Sequence, residues 1–129
     1  MNKQETRFIA KLVPLILATK ETYAEKTYNP LRRGTPDLYF EGPKNIAWVE
    51  AKWQLKPWNE PTDIICARKE WGLQKRWLTR AHKNNKPAFA VVGVGFTKGY
   101  ILMHPFTFSD QPLISIQEIA DYILEQICQ

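Results

Sequence analysis

The run KPAFAVVGVG, residues 86 to 95, constrains the fold more than any other stretch of the chain. Beyond Lys86 it carries no charge and no polar alternation, so a strand built from it has no face to give to water. Such a strand is covered on both sides. Helices must therefore lie before and after it in the chain, and three segments have helical periodicity. Residues 3 to about 19 place Phe8, Ile9, Leu12, Leu15 and Ile16 on one stripe, with Pro14 expected to end or kink the helix. A second helix runs from Ile65 or Arg68 to Lys83, with Trp71, Gln74, Trp77, Leu78 and Ala81 on one face. The third spans 116 to 127, carrying Ile116, Ile119, Ala120, Ile123, Leu124 and Ile127.

The remaining periodic segments are strands. Glu21 to Tyr28 mixes Thr, Tyr and Ala with charges, Asp37 to Glu41 and Ile46 to Trp53 form a hairpin around the turn GPKN, and GYILMHPF supplies a strand after 95. GVGFTKG lacks a following helix and reads as a strand turn, and QLKPWNEPTD, residues 54 to 63, as a mobile substrate loop. The order is α, β, β, β, α, β, β, α, which predicts one α/β domain over residues 1 to 129 with a mixed sheet between helical layers.

Composition narrows the class. With 44% hydrophobic residues the chain is no disordered tail, and no run approaches the roughly 20 apolar residues of a membrane span. LVPLILA, residues 12 to 18, is preceded by Glu5 and reads as part of a retained amphipathic helix instead of a signal core. Cys66 and Cys128 have no metal-ligand spacing, so they are expected to be reduced thiols in a cytoplasmic protein without zinc. The net charge of +5, with Lys and Arg concentrated between Arg32 and Lys86, favours a polyanionic partner such as nucleic acid.

The chemistry lies in one phase relationship. In IAWVEAKW, Glu50 and Lys52 fall in step with Ile46 and Trp48, so an apolar strand face ends in an acid and a base. Asp37 starts the partner strand of the hairpin and lies across from residues 50 to 53. Glu5 on the first helix and Gln74 on the second also fall on covered stripes. Isolated buried charges are costly, and two carboxylates at one strand end repel unless a cation lies between them. Oxygen donors without His or Cys suit Mg²⁺ or Mn²⁺, and Lys52 on the same face reaches the space in front of such an ion. The pattern points to phosphodiester hydrolysis. The plainer alternatives are a turn aspartate after Pro36, a snorkelling Lys52, a structural ion pair, and a Gln74 amide bonded to nearby backbone.

GTPDLYF followed by WVEAKW resembles the PD-(D/E)xK nuclease signature, with Pro36 and Asp37 as the PD and Glu50, Ala51 and Lys52 as the ExK. ETRFIAKL and LQKRWL add a resemblance to the virus-type replication-repair nuclease (VRR-NUC) branch and to Holliday junction resolvases, over residues 5 to about 104. The resemblance implies an αβββαβ core, Mg²⁺-dependent endonuclease activity leaving a 5′-phosphate and a 3′-hydroxyl, and a prokaryotic or phage setting in DNA recombination or repair. It implies Asp37, Glu50 and the Ala51 carbonyl as metal ligands, Lys52 as the catalytic lysine, Gln74 as its support and Glu5 as a further metal-site acid, a role for which Glu21 and Glu25 compete.

Arg32, Arg33, Lys56, Trp58, Lys75 and Arg76 are expected to contact DNA, with Trp53 and Trp58 beside Lys56 as stacking platforms. Trp48, Trp71 and Trp77 are expected in the core, and His82 and His104 are isolated and given no chemistry. Because one small domain offers one active site and a junction needs two cuts, a homodimer joined through the terminal helix and the exposed part of the first helix is expected. Rival readings are a nicking or restriction-type enzyme acting on linear duplex, and a catalytically silent DNA-binding module.

Overall fold

A computed structural model describes residues 3–27, 34–57, 69–106 and 111–129, with only the backbone of Lys69 and Glu70. Arg32, Arg33, Trp58, Cys66, Tyr28 and the expected start of the second helix at Ile65 to Arg68 lie outside the described residues. The elements are α1 (Lys3–Leu17), β1 (Tyr23–Lys26), β2 (Leu38–Glu41), β3 (Ile46–Gln54), α2 (Lys69–Lys83), β4 (Ala88–Val94), β5 (Lys98–Leu102), β6 (Ile114–Ser115) and α3 (Ile116–Cys128). One six-stranded mixed sheet, in the order β1-β2-β3-β4-β5-β6, joins them into an α/β fold. Only the β3–β4 pair is parallel among these strands, and α2 lies on the crossover between them.

Two faces of β3 lead in different directions. Ala47, Val49 and Ala51 share their face with Phe89, Val91 and Gly93 of β4, by the parallel register. On that side a Cβ added at Gly93 would stand 2.7 Å from the Phe8 ring, and one at Gly99 3.1 Å from Ile119, so α1 and α3 cover this face. The other face carries Trp48, Glu50 and Lys52, and the Trp48 ring meets Trp77 of α2 at 5.2 Å. Burial of all seven residues of β4 follows from this double cover.

The helices settle as their stripes dictate. Phe8, Ile9, Leu12 and Ile16 of α1 and Ile119, Ala120, Ile123 and Ile127 of α3 are buried together. Pro14 does not end α1: the helix continues to Leu17, because a proline in the last turn forfeits a bond only to the carbonyl of exposed Ala10. Ser115 and Glu118 form a reciprocal capping box at the start of α3, a device worth about 1 kcal/mol. At its other end the GPKN turn seats on the helix, with the Lys44 and Asn45 amides donating to the Ile127 carbonyl. The apolar stripe of α3 is therefore consumed inside its own chain, and its exposed side carries Glu118, Asp121 and Glu125.

Several local expectations shift. β1 is confined to Tyr23–Lys26, since Glu21 lies in a turn at φ +65°. Ile114–Ser115 adds a short strand that its two residues were too few to announce. Trp71 is in the core, but Trp48 and Trp77 are half-buried. His82 and His104 are not isolated: their rings stack at 4.3 Å with 9° between planes.

Candidate active site

The β2–β3 ladder sets the site's first relationship. Leu38 pairs with Val49, so the next step of the same antiparallel ladder sets Asp37 opposite Glu50. Thr27 fixes this approach twice, its amide donating to the Asp37 carbonyl at 2.8 Å and its hydroxyl to the Pro36 carbonyl. Gly34 brings the second helix in. Its φ of +88° favours glycine, and a Cβ there would stand 2.8 Å from the Leu73 carbonyl, one residue before Gln74. Thr27 was not singled out in the sequence, and Gly34 figured there only as the first residue of the GTPD stretch leading into Asp37.

Glu50 and Lys52 both lie on the β3 face beneath α2, at 0% and 8% exposure. Beyond Lys52, Val92, Val94 and Tyr100 form a small buried apolar cluster, and the register Lys52–Val92–Tyr100 sets it on the same face. Water is thus kept from one side of the acid–base pair. Both Glu50 carboxyl oxygens are buried and accept no hydrogen bond, and neither do the buried Gln54 Oε1 and Gln74 Oε1. All four are acceptors, and Gln54 shares the β3 face of Glu50. A buried acceptor without a donor forfeits about 1–3 kcal/mol, so four of them call for a species that is positive or rich in donors.

The Glu50 carboxyl records the same deficit. Burial first, then the charge of Asp37, push its pKa from 4.5 up to about 10; Lys52 acts against them, while the hydrogen bond that a protonated Glu50 can give Asp37 and the charge of Glu5 add to the rise. An acid so placed is a proton carrier in the absence of a cation, and an ionised ligand in the presence of one.

Of the three acids that compete for the first-helix role, Glu5 is the buried one whose charge bears on Glu50. Glu21 is exposed in its turn, and Glu25 is exposed and accepts the Tyr39 hydroxyl at 2.6 Å. Among the described residues no three side chains from His, Cys, Asp and Glu are gathered as a metal-binding group. A divalent ion at this strand edge would have Asp37 and Glu50 as its carboxylate donors, since the β2–β3 ladder sets the two opposite each other. The orphaned Glu50 oxygens fit such an ion.

Basic residues also run along the side of α2 away from its buried stripe. Lys75, Arg76, Arg80 and Lys83 line a groove of about 620 Å³ along α2, floored in part by Gly72 and Thr79. Lys56 is exposed beyond β3, and its carbonyl accepts the Gln54 amide at 2.8 Å. Trp53 is half-buried, donating its indole N–H to the Gly95 carbonyl at 2.7 Å and stacking on Phe96 at 5.9 Å.

No helix among the described residues is long and apolar enough to cross a membrane. No family model and no curated protein matches the chain. Among solved structures it is similar to Hjc, a Holliday junction resolvase of the archaeal hyperthermophile Archaeoglobus fulgidus, at 13% identity and a TM-score of 0.49 over 90% of this chain and 89% of that one.

Proposed function

We propose that this protein is a metal-dependent DNA endonuclease, acting on branched DNA. The observation that carries the reading is Glu50: a fully buried carboxylate with no donor for either oxygen, opposite Asp37 and two residues from Lys52 on one strand face. A structural ion pair would satisfy the acid with the lysine, whereas here Lys52 lowers the Glu50 pKa by less than burial and Asp37 raise it. The PD and ExK motifs supply these three residues in the order that PD-(D/E)xK nucleases use.

Asp37, Glu50 and the Ala51 carbonyl would hold Mg²⁺ or Mn²⁺, with Glu5 adding negative charge near them. The bound ion supplies Lewis acidity towards water and neutralises charge on the scissile phosphate. Lys52, held between the apolar cluster and Glu50, donates to the attacking oxygen or to the phosphate as negative charge grows there. Gln74, on the helix that packs closely on Gly34 and with its Oε1 buried and unpartnered, would support Lys52 or the attacking water. Water adds to phosphorus, the bond to the 3′ oxygen breaks, and a 5′-phosphate and a 3′-hydroxyl result. The basic groove on α2 carries the flanking backbone.

The direct test is incubation of the protein with labelled four-way junction, linear duplex and single strand in Mg²⁺ or EDTA, beside Lys52→Ala and Glu50→Gln. Metal-dependent cuts on the junction, lost in both variants, are expected. Equal cutting of linear duplex would replace branched DNA by a nicking or restriction-type substrate, and DNA binding without cleavage under either metal would leave a silent binding module.

A further inference from the structure

The α2 groove accounts for basic residues on one side of the sheet, but α1 carries a second set that the reading so far leaves without a role. Lys3, Arg7 and Lys11 recur every four residues, all exposed, and so form one stripe about 12 Å long. Two of them are not free-swinging. The Arg7 guanidinium lies 4.7 Å from the centroid of the Phe96 ring and the Lys11 ammonium 5.7 Å from it. Phe96 is itself stacked on Trp53, which is pinned to Gly95, and Trp53 follows Lys52 in the chain. The same helix that turns Glu5 inward towards Glu50 thus holds two cations outward at the end of β3, within a few residues of the ammonium of the site.

We infer that Arg7 and Lys11, held over Phe96, with Lys3 extending the stripe, form a second phosphate-binding track that grips the DNA backbone on the opposite side of the sheet from the α2 groove. The inference rests on the endonuclease reading. An aromatic face under a guanidinium fixes its position and leaves its N–H groups along the edge free to fork onto phosphate oxygens, so little side-chain freedom is lost on binding. Charge complementarity selects the occupant. The stripe contains no acid, whereas the outward side of α3, in the same helical layer, carries Glu118, Asp121 and Glu125 and repels a polyanion. A straight duplex laid in the α2 groove leaves the α1 side unfilled; DNA that turns or branches at the site reaches both.

The test is DNA binding followed by fluorescence anisotropy in EDTA, using a labelled four-way junction over a range of salt, for the wild-type protein and Arg7→Gln/Lys11→Gln. A pair of exposed lysines outside the stripe, Lys20→Gln/Lys44→Gln, matches the charge removed, and Arg7→Lys restores a cation. Loss of two phosphate contacts lowers the slope of log K against log salt by about 1.8 and weakens binding by roughly tenfold or more at low salt. Arg7→Lys recovers part of the loss, the control pair stays near wild type, and cleavage by the double variant falls through KM while kcat holds. If the cation–aromatic contacts only staple α1 to the β4–β5 turn, the double variant melts earlier with an unchanged salt slope, and the track is refuted. A double variant indistinguishable from the control pair, in a wild-type protein that binds and cuts DNA, refutes the track alone. A wild-type protein that binds no DNA removes the track and the endonuclease reading together.

Discussion

Lys52 and Asp37 act on Glu50 in opposite senses: the lysine two residues along β3 favours the ionised carboxyl, and the aspartate across the β2–β3 ladder favours the protonated one. Burial sides with Asp37 and is the largest of the influences. The site is therefore poised on a proton in the absence of a cation.

Stability of the metal-free protein should fall with rising pH. Glu50 ionises near 4.5 when unfolded and near 10 in the fold, so between those values the folded chain holds a proton that the unfolded chain has released. Its contribution is present in full below about 4.5 and declines through neutrality towards 10, by at most about 1.4 kcal/mol per pH unit. Urea unfolding in EDTA at pH 5, 7 and 9 should show the decline, and Glu50→Gln, which cannot ionise, should flatten it. Equal slopes for the two proteins would mean that Glu50 is ionised in the fold.

Divalent cations should reverse this trend. A divalent ion held by Asp37 and Glu50 would compete with the proton on Glu50, so the gain in stability should be larger at pH 8 than at pH 6. At a metal concentration 100 times Kd the gain is about 2.7 kcal/mol. Asp37→Asn and Glu50→Gln should abolish the response in a thermal melt, whereas Lys52→Ala should keep it and lose cleavage. A metal response that survives both carboxylate substitutions would relocate the ion.

Much of this arrangement was legible in the chain because it depends on short-range phase. Glu50 and Lys52 in step with Trp48, and Asp37 across a four-residue turn, follow from the two-residue period of strands and the hairpin length. The helical stripes of α1, α2 and α3 were equally plain. What escaped was pairing at a distance. The His82–His104 stack joins the last turn of α2 to the segment after β5, and the Arg7–Phe96 contact joins α1 to the β4–β5 turn. Neither leaves a periodic trace. Trp48 and Trp77 were assigned to the core because aromatic residues on an apolar phase usually go there, yet the sheet face outside α2 leaves them half-covered.

Two glycines near α2 should respond to alanine with opposite signs. Gly34→Ala forces a side chain into φ +88° and against the Leu73 carbonyl at 2.8 Å, and should destabilise the fold by about 1–3 kcal/mol. It should also lower cleavage beyond the loss of folded protein, since α2 carries Gln74. Gly72→Ala meets nothing within 4 Å inside the same helix and should stabilise it by up to about 1 kcal/mol. Urea midpoints for both, with cleavage rates at a temperature where each is folded, check the pair.

Gly93 offers the corresponding test for α1. A Cβ there would lie 2.7 Å from the Phe8 ring, which is fully buried and cannot swing into solvent, so Gly93→Ala must push α1 away from β4. Overpacking of this kind costs about 1–3 kcal/mol. Phe8→Leu, which shortens the obstacle, should cost stability by itself but recover part of the loss when combined with Gly93→Ala. A double-mutant cycle should then show a favourable coupling of at least about 0.5 kcal/mol. The displacement also moves Glu5 relative to Glu50, so Gly93→Ala should lower the pH at which the Glu50 carboxyl ionises, and Phe8→Leu should restore it in the double variant. Strict additivity would show that α1 is not held against β4 by this contact, and that some other contact places Glu5 beside the site.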